Sequence, residues 1–375
     1  MSAVSVSVAA SKPPRLLEEV QRLPTSGARA VELFEHRGVQ YLVIPQLAED
    51  VPGEAAYMNG GNSDVDALVY RWEGGAFVEH QRLPVPGGED AEFFRIGDRA
   101  FLATASLRTG RGPYDLNAQS TIFEFKEGRF EPFQHVPTFA AKQWKHFSLK
   151  GRHFLALAQG VVTEGGSPVH PSKSCIYEWN GAGFAPFQTV ESAWGYNWVF
   201  MELAGQFLLG YADHIEPSRL MRWNGNSFES FQELSAKGGR AFCAFTAEGE
   251  QWLAFANLPG DSLLYRWNGD SFDPQQTVCG PGGREFCWID SPHGGLLGQV
   301  NFLRGERSSP QTALQSCLYR MRQGQLVVVD EFPTFGAPDL ASFVDSGVHY
   351  LVVANSLSAE VRFRTDSVVY RLDRA

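Results

Sequence analysis

The stretch Leu264-Tyr265-Arg266-Trp267-Asn268-Gly269 decides the fold, because it recurs along the chain in recognisable form. Clear copies are Val69-Tyr70-Arg71-Trp72, Ile176-Tyr177-Glu178-Trp179-Asn180-Gly181, Leu220-Met221-Arg222-Trp223-Asn224-Gly225 and Leu318-Tyr319-Arg320-Met321. With weaker copies at Phe125 and Leu372, the Trp position falls at residues 72, 125, 179, 223, 267, 321 and 372, at intervals of 44 to 54 residues. Seven copies at this period predict a repeat architecture.

The spacing inside each repeat unit is nearly constant. Five residues after the Trp position comes a large apolar residue, and four residues later comes an amide or carboxyl side chain, at Gln81, Gln134, Gln188, Gln232, Gln276 and Asp330. Each unit contains four short segments rich in Phe, Tyr, Trp and Val, which Gly, Asn and Pro separate, and none shows helical periodicity. The pattern predicts an all-β chain that forms a seven-bladed β-propeller of four-stranded blades.

The two ends of the chain predict how the ring closes. Residues 16–25 match the outer-strand part of a unit but follow no Trp motif, whereas residues 367–372 form a Trp motif that no outer strand follows. We therefore expect the N-terminal strand to pair with the C-terminal strand, which leaves no open sheet edge in the ring. The predicted domains are a flexible segment, residues 1–14, and a single propeller, residues 15–375.

Composition limits the classes of partner. The 42 acidic and 32 basic residues give a net charge of -10, which opposes non-specific binding to nucleic acid and to anionic membranes. We find no signal peptide and no apolar run long enough to cross a bilayer, so we expect a cytoplasmic protein without membrane insertion. We also expect the protein to be a monomer. The five cysteines are odd in number, and we expect no disulfide framework.

A resemblance to a known family supports the propeller. The motif Leu-Tyr-Arg-Trp-Asn-Gly, followed by Phe, by Phe-Gln and by a strand that ends in Ala-Asn, as at Ala256-Asn257 and Ala354-Asn355, resembles the epitempin or EAR (EPTP) repeat. The resemblance extends over residues 15–375. The family is known from the leucine-rich glioma inactivated proteins, and it implies a seven-bladed propeller that binds protein partners and carries calcium near its axis.

Alignment of the innermost strands predicts a polar ring. One position of the repeat is occupied in turn by Ala30, Asp90, Gln143, Asn197, Ala241, Glu285 and Asp339. Because the innermost strands of a propeller all begin around the mouth of the central channel, these oxygens should converge, and hard cations such as Ca²⁺ prefer oxygen ligands. We expect Asp90 and Asp339, followed by Glu285, to be the metal ligands. Alternatively, these polar groups meet channel water or cap strand ends.

Two residues further along the innermost strands, charge is concentrated in three consecutive blades, at Glu32, Glu92 and Lys145. A lone buried charge would be unfavourable, so we expect Lys145 to form an ion pair with Glu92. Trp194 and Tyr196 precede an innermost strand, and together with Gln143 and Asn197 they are the candidate ligand-binding residues at the channel mouth. A loop Trp can instead simply cover neighbouring backbone.

Variation in length is confined to one connection per blade, and we expect these loops to emerge on one face. The long loops span residues 45–66, 107–119 and 160–173. Loops on a constant scaffold commonly carry recognition, although they can also be tolerated insertions.

The sequence contains no catalytic signature such as His-Glu-x-x-His or Gly-x-Ser-x-Gly. We therefore favour a non-catalytic binding protein for a protein or small-molecule ligand. The alternative is an enzyme of small-molecule metabolism in which Asp90, Glu285 and Asp339 hold a metal or act as general acid and base.

Overall fold

The computed structural model describes residues 15–160, 162–164, 167–169, 172–234, 237–291 and 294–372. The predicted flexible segment, residues 1–14, lies outside the described residues. The described chain is all β, and it forms seven four-stranded antiparallel sheets arranged as the blades of a propeller. The predicted fold is therefore confirmed.

The strands are numbered β1 to β30 in chain order, and each blade runs from the innermost strand at the channel to the outermost. Blade 1 contains β2 (Glu32–His36), β3 (Val39–Ile44), β4 (Asp66–Glu73) and β5 (Ala76–Pro84). Blade 2 contains β6 (Gly88–Ile96), β7 (Arg99–Ser106), β8 (Gln119–Lys126) and β9 (Arg129–Pro137). Blade 3 contains β10 (Ala141–Leu149), β11 (Arg152–Gln159), β14 (Ser172–Trp179) and β15 (Phe184–Ser192), and its long loop forms a hairpin of β12 (Val162–Glu164) and β13 (Ser167–Val169).

The remaining blades follow the same order. Blade 4 contains β16 (Gly195–Leu203), β17 (Gln206–Asp213), β18 (Arg219–Trp223) and β19 (Phe228–Glu233). Blade 5 contains β20 (Gly239–Ala247), β21 (Glu250–Asn257), β22 (Ser262–Trp267) and β23 (Phe272–Cys279). Blade 6 contains β24 (Gly283–Ile289), β25 (Leu296–Asn301), β26 (Ala313–Arg322) and β27 (Gln325–Phe335). Blade 7 contains β28 (Asp339–Asp345), β29 (Val348–Ala354), β30 (Ser367–Leu372) and β1 (Leu17–Leu23).

Blade 7 closes the ring as predicted, because it combines the two ends of the chain. The first strand, β1, pairs antiparallel with the last strand, β30, in a register that places Leu17 opposite Leu372 and Leu23 opposite Ser367. Pairing gives the backbone of β30 hydrogen-bond partners on both sides. The ring therefore has no seam at which the first and last blades would present unpaired edges to each other.

The repeated Gln of the outermost strand joins each blade to the next. The side-chain amide nitrogen donates to the carbonyl of the large apolar residue on the next blade, and the amide oxygen accepts that residue's N–H. Both bonds measure 2.7–3.0 Å at Gln21–Phe77, Gln81–Phe130, Gln134–Phe184, Gln188–Phe228, Gln232–Phe272 and Gln276–Leu326. At the remaining boundary Asp330 accepts the N–H groups of Leu16 and Leu17. We call these contacts the outer clamp.

Aromatic and aliphatic side chains fill the spaces between blades. Trp144 and Trp198 are each only 1% exposed. His146 stacks on Phe94 with ring centroids 4.5 Å apart. All five cysteines are free thiols. In the described chain no helix is long and apolar enough to cross a bilayer.

The innermost strands of blades 2 to 6 share a β-bulge close to their first residue. The strand register shifts at this point in each blade, and the extra residues are Glu89, Lys142, Tyr196, Arg240 and Arg284. Successive side chains of an unbroken strand point to opposite faces, and a bulge interrupts this alternation. The bulge therefore allows two consecutive residues to face the channel.

A small residue begins each of these five bulged strands. A Cβ atom added to Gly239 would lie 2.3 Å from the Ser218 hydroxyl oxygen, and one added to Gly195 would lie 1.8 Å from the hydroxyl of Tyr211. The preceding blade at Gly239, and the neighbouring strand β17 of the same blade at Gly195, therefore approach too closely to admit a larger side chain.

Candidate functional site

The predicted polar ring lines a cavity inside the channel. This channel cavity has a volume of about 400 Å³, and its wall includes the predicted residues Asp90, Gln143, Asn197, Glu285 and Asp339. The structure thus brings together side chains that are separated by up to 249 residues in the sequence.

Four members of the ring connect neighbouring innermost strands. Each accepts a hydrogen bond from a backbone N–H of the next blade. The contacts are Trp144 N to Asp90 Oδ2 at 2.8 Å, Trp198 N to Gln143 Oε1 at 2.6 Å, Phe242 N to Asn197 Oδ1 at 3.0 Å and Val31 N to Asp339 Oδ2 at 2.8 Å. These polar groups therefore have a structural role, because they pair backbone N–H groups on the inner edge of the next blade.

A second layer of the channel repeats this arrangement in two blades. Glu32 accepts the N–H of Phe93 at 2.7 Å, and Glu92 accepts the N–H of His146 at 3.0 Å. Lys145 Nζ lies 2.9 Å from Glu92 Oε1, so the predicted ion pair is present. The positive charge of Lys145 offsets part of the acidity of this wall.

Burial disfavours the charged form of the channel carboxylates. It raises the pKa of Asp339 to about 6, and it raises the pKa values of Asp90 and Glu285 well above their usual range, with Asp339 adding repulsion at both. Both oxygens of Asp339 accept backbone N–H groups, from Val31 and from Leu340 at 2.7 Å. Within the described residues, no three His, Cys, Asp or Glu side chains lie close enough together to hold a metal ion.

A second cavity opens above the channel, on the face that carries the long loops. This mouth cavity has a volume of about 450 Å³, and Trp194 and Tyr196 line it. Tyr196 lines the channel cavity as well, and so do Arg29, Glu89, Lys142 and Arg284, so the two cavities adjoin. Of the predicted ligand-binding residues, Trp194 and Tyr196 therefore lie at the mouth, whereas Gln143 and Asn197 lie deeper in the channel.

Loops from several blades form the apolar part of the mouth cavity. Met58 comes from the loop after β3, Leu107 from the loop after β7, and Phe302 from the loop after β25. Arg108 connects two of these loops, because its guanidinium donates to the carbonyls of Asn59 and Gly60 at 2.7 and 2.6 Å. Two of the three long loops, residues 45–66 and 107–119, thus shape one shared cavity, whereas the third, residues 160–173, lies partly outside the described residues.

The mouth cavity is strongly cationic, although the chain as a whole is acidic. Six of its described lining residues are basic and one, Glu89, is acidic; the basic residues are Arg29, Arg108, Lys142, Arg240, Arg284 and Arg307. Arg29 donates to Glu89 at 2.8 Å, and Lys142 Nζ lies 3.3 Å from the same carboxylate oxygen. The single carboxylate therefore forms ion pairs with two of the six cations.

Arg108 and Arg307 belong to loops, but the other four cations occupy one register of the repeat, and sequence reasoning missed them. They stand one residue before the polar ring, in a series that we call the mouth register: Arg29, Glu89, Lys142, Tyr196, Arg240, Arg284 and Pro338. In a regular strand, a residue next to the polar ring would point to the opposite face of the sheet. The β-bulge interrupts this alternation, so the mouth-register side chains face the channel as well. The glycine before the register at residues 88, 195, 239 and 283 was the available signal.

The charges shift the ionisation of their neighbours in a consistent direction. Burial alone would raise the pKa of Glu89, but Arg29, Lys142 and Arg284 lower it to about 2. Burial also opposes ionisation of Tyr196, yet Arg240 and Lys142 lower its pKa. These shifts indicate a positive potential at the mouth that favours negative charge.

Arg240 lies at the centre of this potential. Its side chain is 3% exposed, and its guanidinium carbon stands 4.1 Å from the centre of the Tyr196 ring. Burial, with the neighbouring Arg284 and Arg307, lowers the pKa of Arg240 to about 10. Burial and Arg240 also lower the pKa of His214 to about 4, so His214 is neutral at pH 7 and its Nδ1 can accept from Arg240 Nη1 at 2.8 Å.

The comparison with protein families agrees with the repeat seen in the sequence. The EPTP domain family matches residues 76–125, 129–180 and 227–268. Over these three ranges the chain matches the EPTP repeat. The predicted resemblance is thereby confirmed.

The curated relatives carry the same kind of repeat. The thrombospondin-type laminin G domain and EAR repeat-containing protein of Homo sapiens is 30% identical over 204 residues, which are 53% of this chain and 27% of that protein. The Mus musculus protein of the same name is 28% identical over 155 residues, 40% of this chain and 22% of that protein. The chain spans about a quarter of the length of these relatives.

Solved structures share the propeller fold of this chain at low sequence identity. A Bacteroides uniformis protein that is provisionally assigned as a 6-phosphogluconolactonase aligns with a TM-score of 0.58 and 13% identity, over 85% of this chain and 95% of its own. BBS1N, in its complex with ARL6DN, aligns with a TM-score of 0.56 and 11% identity, over 96% and 98%. At these identities the similarity concerns the propeller fold alone.

Proposed function

We propose that the EPTP-repeat chain is a non-catalytic binding propeller that holds a protein or small-molecule ligand on its loop-bearing face, at the channel mouth. The observation that carries the proposal is the mouth cavity, where the aromatic Trp194 and Tyr196, apolar loop residues and buried cations meet. Concave sites with apolar walls and a few placed polar groups are typical of ligand binding.

The hydrogen bonding of the ring supports binding over catalysis. Asp90 and Asp339 hold backbone N–H groups of the next blade, and this use of their oxygens connects the innermost strands. A general base needs an oxygen that is free to approach a substrate proton. The ring is thus suited to supporting the site from below.

An enzyme remains the second candidate because of one observation. Burial raises the pKa of Asp339 to about 6, in the range that suits a general acid or base near neutral pH. Such an enzyme would act where the channel and mouth cavities adjoin. Chemical conversion of a bound ligand would distinguish it from the binding protein.

Calcium binding by Asp90, Asp339 and Glu285 stays a proposal that the family resemblance suggests. The donor set fits a cation only in part, since Asp339 has both oxygens engaged by backbone N–H groups. Thermal melts in Ca²⁺ and in chelator, with metal analysis of the purified protein, test it. A bound ion should raise the melting temperature, and an unchanged melt without metal would reject the proposal.

The binding proposal is tested by thermal melts against a panel of small molecules and candidate partner proteins. A ligand should raise the melting temperature of the wild type, lose this effect in Tyr196→Ala, and keep it in Val344→Ala, which alters an exposed residue at the far end of β28. Mass spectrometry should recover the ligand unchanged. Stabilisation that survives Tyr196→Ala but not Val344→Ala would contradict the assignment to the loop-bearing face.

A further inference from the structure

We propose that the mouth cavity binds a small organic anion, a molecule that joins a carboxylate, sulfonate or phosphate group to an aromatic or aliphatic body. The inference rests on the proposed binding function and specifies the ligand class. It follows from the positions of Arg240 and Arg284 and from the apolar wall that faces the same cavity.

Two guanidinium groups at the mouth keep unused donors. All three hydrogen bonds of Arg240 leave from Nη1, to His214 Nδ1 and to the carbonyls of Gly238 and Gly239. In the part of the chain that the structure describes, Nε and Nη2 of Arg240 donate to no acceptor, and neither is sealed from the cavity. Two adjacent N–H donors of this kind fit the two oxygens of an anion.

Arg284 presents the same chemistry from the neighbouring blade. It occupies the equivalent bulge position, its side chain is 13% exposed, and its nearest described carboxylate oxygen, on Glu285, is 3.8 Å away. It makes no hydrogen bond to an acceptor in the described chain. Arg284 and Arg240 both stand beside the ring of Tyr196, at 5.5 and 4.1 Å from its centre.

Arg240 makes no ion pair with a carboxylate of the described chain. Arg240 is buried, and all of its described acceptors are neutral. A buried charge is costly unless it is paired, and two like charges side by side add repulsion. An anion between Arg240 and Arg284 would remove both penalties, and Arg307 on the rim of the cavity would add attraction.

The remainder of the cavity is apolar and suits an organic molecule better than an inorganic ion. Met58, Leu107, Leu258 and Phe302 contribute an apolar wall, and Trp194 adds an aromatic surface. The volume of about 450 Å³ lies within the range of sites that bury a small organic molecule. The anionic group would contact the arginines while its apolar body covers this wall.

The experiment compares two fluorescent probes that share an aromatic body. The first, 8-anilinonaphthalene-1-sulfonate, carries a sulfonate, and N-phenyl-1-naphthylamine is the same body without it. The folded wild type should bind the sulfonate probe about tenfold or more tightly than the neutral probe, because charge-assisted hydrogen bonds contribute this much. Equal affinities would overturn the inference, since the site would then recognise only the apolar body and not the negative charge.

Single substitutions test which arginine side chains bind the sulfonate group. Arg240→Gln and Arg284→Gln should each weaken the sulfonate probe about tenfold and leave the neutral probe unchanged. Arg307→Gln changes an exposed residue and should weaken the sulfonate probe by a smaller factor while the fold is untouched. Arg222→Gln, which removes an exposed charge outside both cavities, is the matched control. Equal losses in Arg222→Gln and Arg240→Gln would show a general charge effect and overturn the inference.

Competition separates this inference from the broader binding proposal. Ligands from the thermal panel that displace the sulfonate probe should be organic anions. If the panel instead yields neutral or cationic ligands that require Tyr196, the binding proposal stands and the anion inference fails. A short acidic peptide that displaces the probe better than any small molecule would replace the small organic anion by a peptide and overturn the ligand class proposed.

Discussion

The outer clamp and the mouth register occupy opposite edges of the same blades, and each uses one register of the repeat. The outer clamp uses Gln at six boundaries of the described ring, and every amide is satisfied on both sides by the next blade. The mouth register holds seven residues of mixed charge and size, and its cations outnumber its single carboxylate. The repeated Gln thus connects the blades, whereas the variable mouth register presents an excess of cations to a cavity.

The two edges also differ in their energetics. The outer clamp replaces water by paired donors and acceptors, so its contribution to the free energy of folding is favourable. Arg240 and Arg284 of the mouth register are held near each other in a buried cleft, which lowers the stability of the unliganded fold. Function commonly accounts for such local instability.

The largest effect should come from removal of the outer strand that closes the ring. Deletion of residues 1–24 removes β1, exposes the edge of β30 and leaves Phe77 without its clamp from Gln21. We expect insoluble protein or the loss of cooperative unfolding, measured by circular dichroism on heating. Deletion of residues 1–14 removes none of the described strands and is the control. A truncation at residue 24 that melts like the wild type would show that closure is dispensable.

The next largest effect is expected at Glu89, the one carboxylate of the mouth register. Glu89→Gln should lower the free energy of unfolding at pH 7 by about 3 kcal/mol, because it leaves Arg29 and Lys142 without their shared partner. Affinity for an anionic probe should rise at the same time. Loss of stability without a gain in anion affinity would separate Glu89 from the binding site.

The pH dependence of the same variant follows from the lowered pKa. In the folded wild type the pKa of Glu89 is about 2, below its usual value of 4.5, so its stabilisation is complete above that usual value and is lost as the pH falls towards 2. Urea unfolding across this range should show that the difference between wild type and Glu89→Gln shrinks in acid. A difference that is constant with pH would contradict the ion-pair account.

The outer clamp should make a smaller contribution at each boundary. Gln276→Ala removes bonds to both the carbonyl and the N–H of Leu326, and it should lower the free energy of unfolding by about 2 kcal/mol. Gln275→Ala changes the exposed neighbour on the same strand and should have almost no effect. Ligand binding should be unaffected in both. Equal stability of the two variants would show that the repeated Gln does not stabilise the contact between blades.

Much of the scaffold could be predicted from the sequence, because repeated spacing reports the blade directly. The Trp motif, the Gln register and the unmatched terminal strands were sufficient to predict seven blades and the pairing of β1 with β30. The position of the polar ring was also predicted, since Asp90 and Asp339 share one register of the repeat. Its hydrogen bonds to Trp144 and Val31 depend on the distance between blades, which the spacing of residues does not encode.

The cations of the mouth register were missed for a different reason. Strand alternation places Arg240 and Arg284 on the face opposite the ring, and only a backbone irregularity reverses this. Trp194 and Tyr196, which line the mouth cavity, were named as candidates because aromatic residues before an innermost strand suggest a ligand at the channel mouth. A charged residue in a strand usually indicates a solvent-exposed face, so charge carried no comparable signal.

The central claim, that the mouth register serves binding at the expense of stability, is tested most directly by the free energy of unfolding of Arg240→Gln in urea at pH 7. Burial and its cationic neighbours lower the pKa of Arg240 to about 10, so loss of its charge should relieve repulsion. The account predicts no loss of stability and a gain of up to about 2 kcal/mol in the absence of ligand. A loss of about 3 kcal/mol or more would show that Arg240 holds the fold together, as the outer clamp does, and would contradict the account.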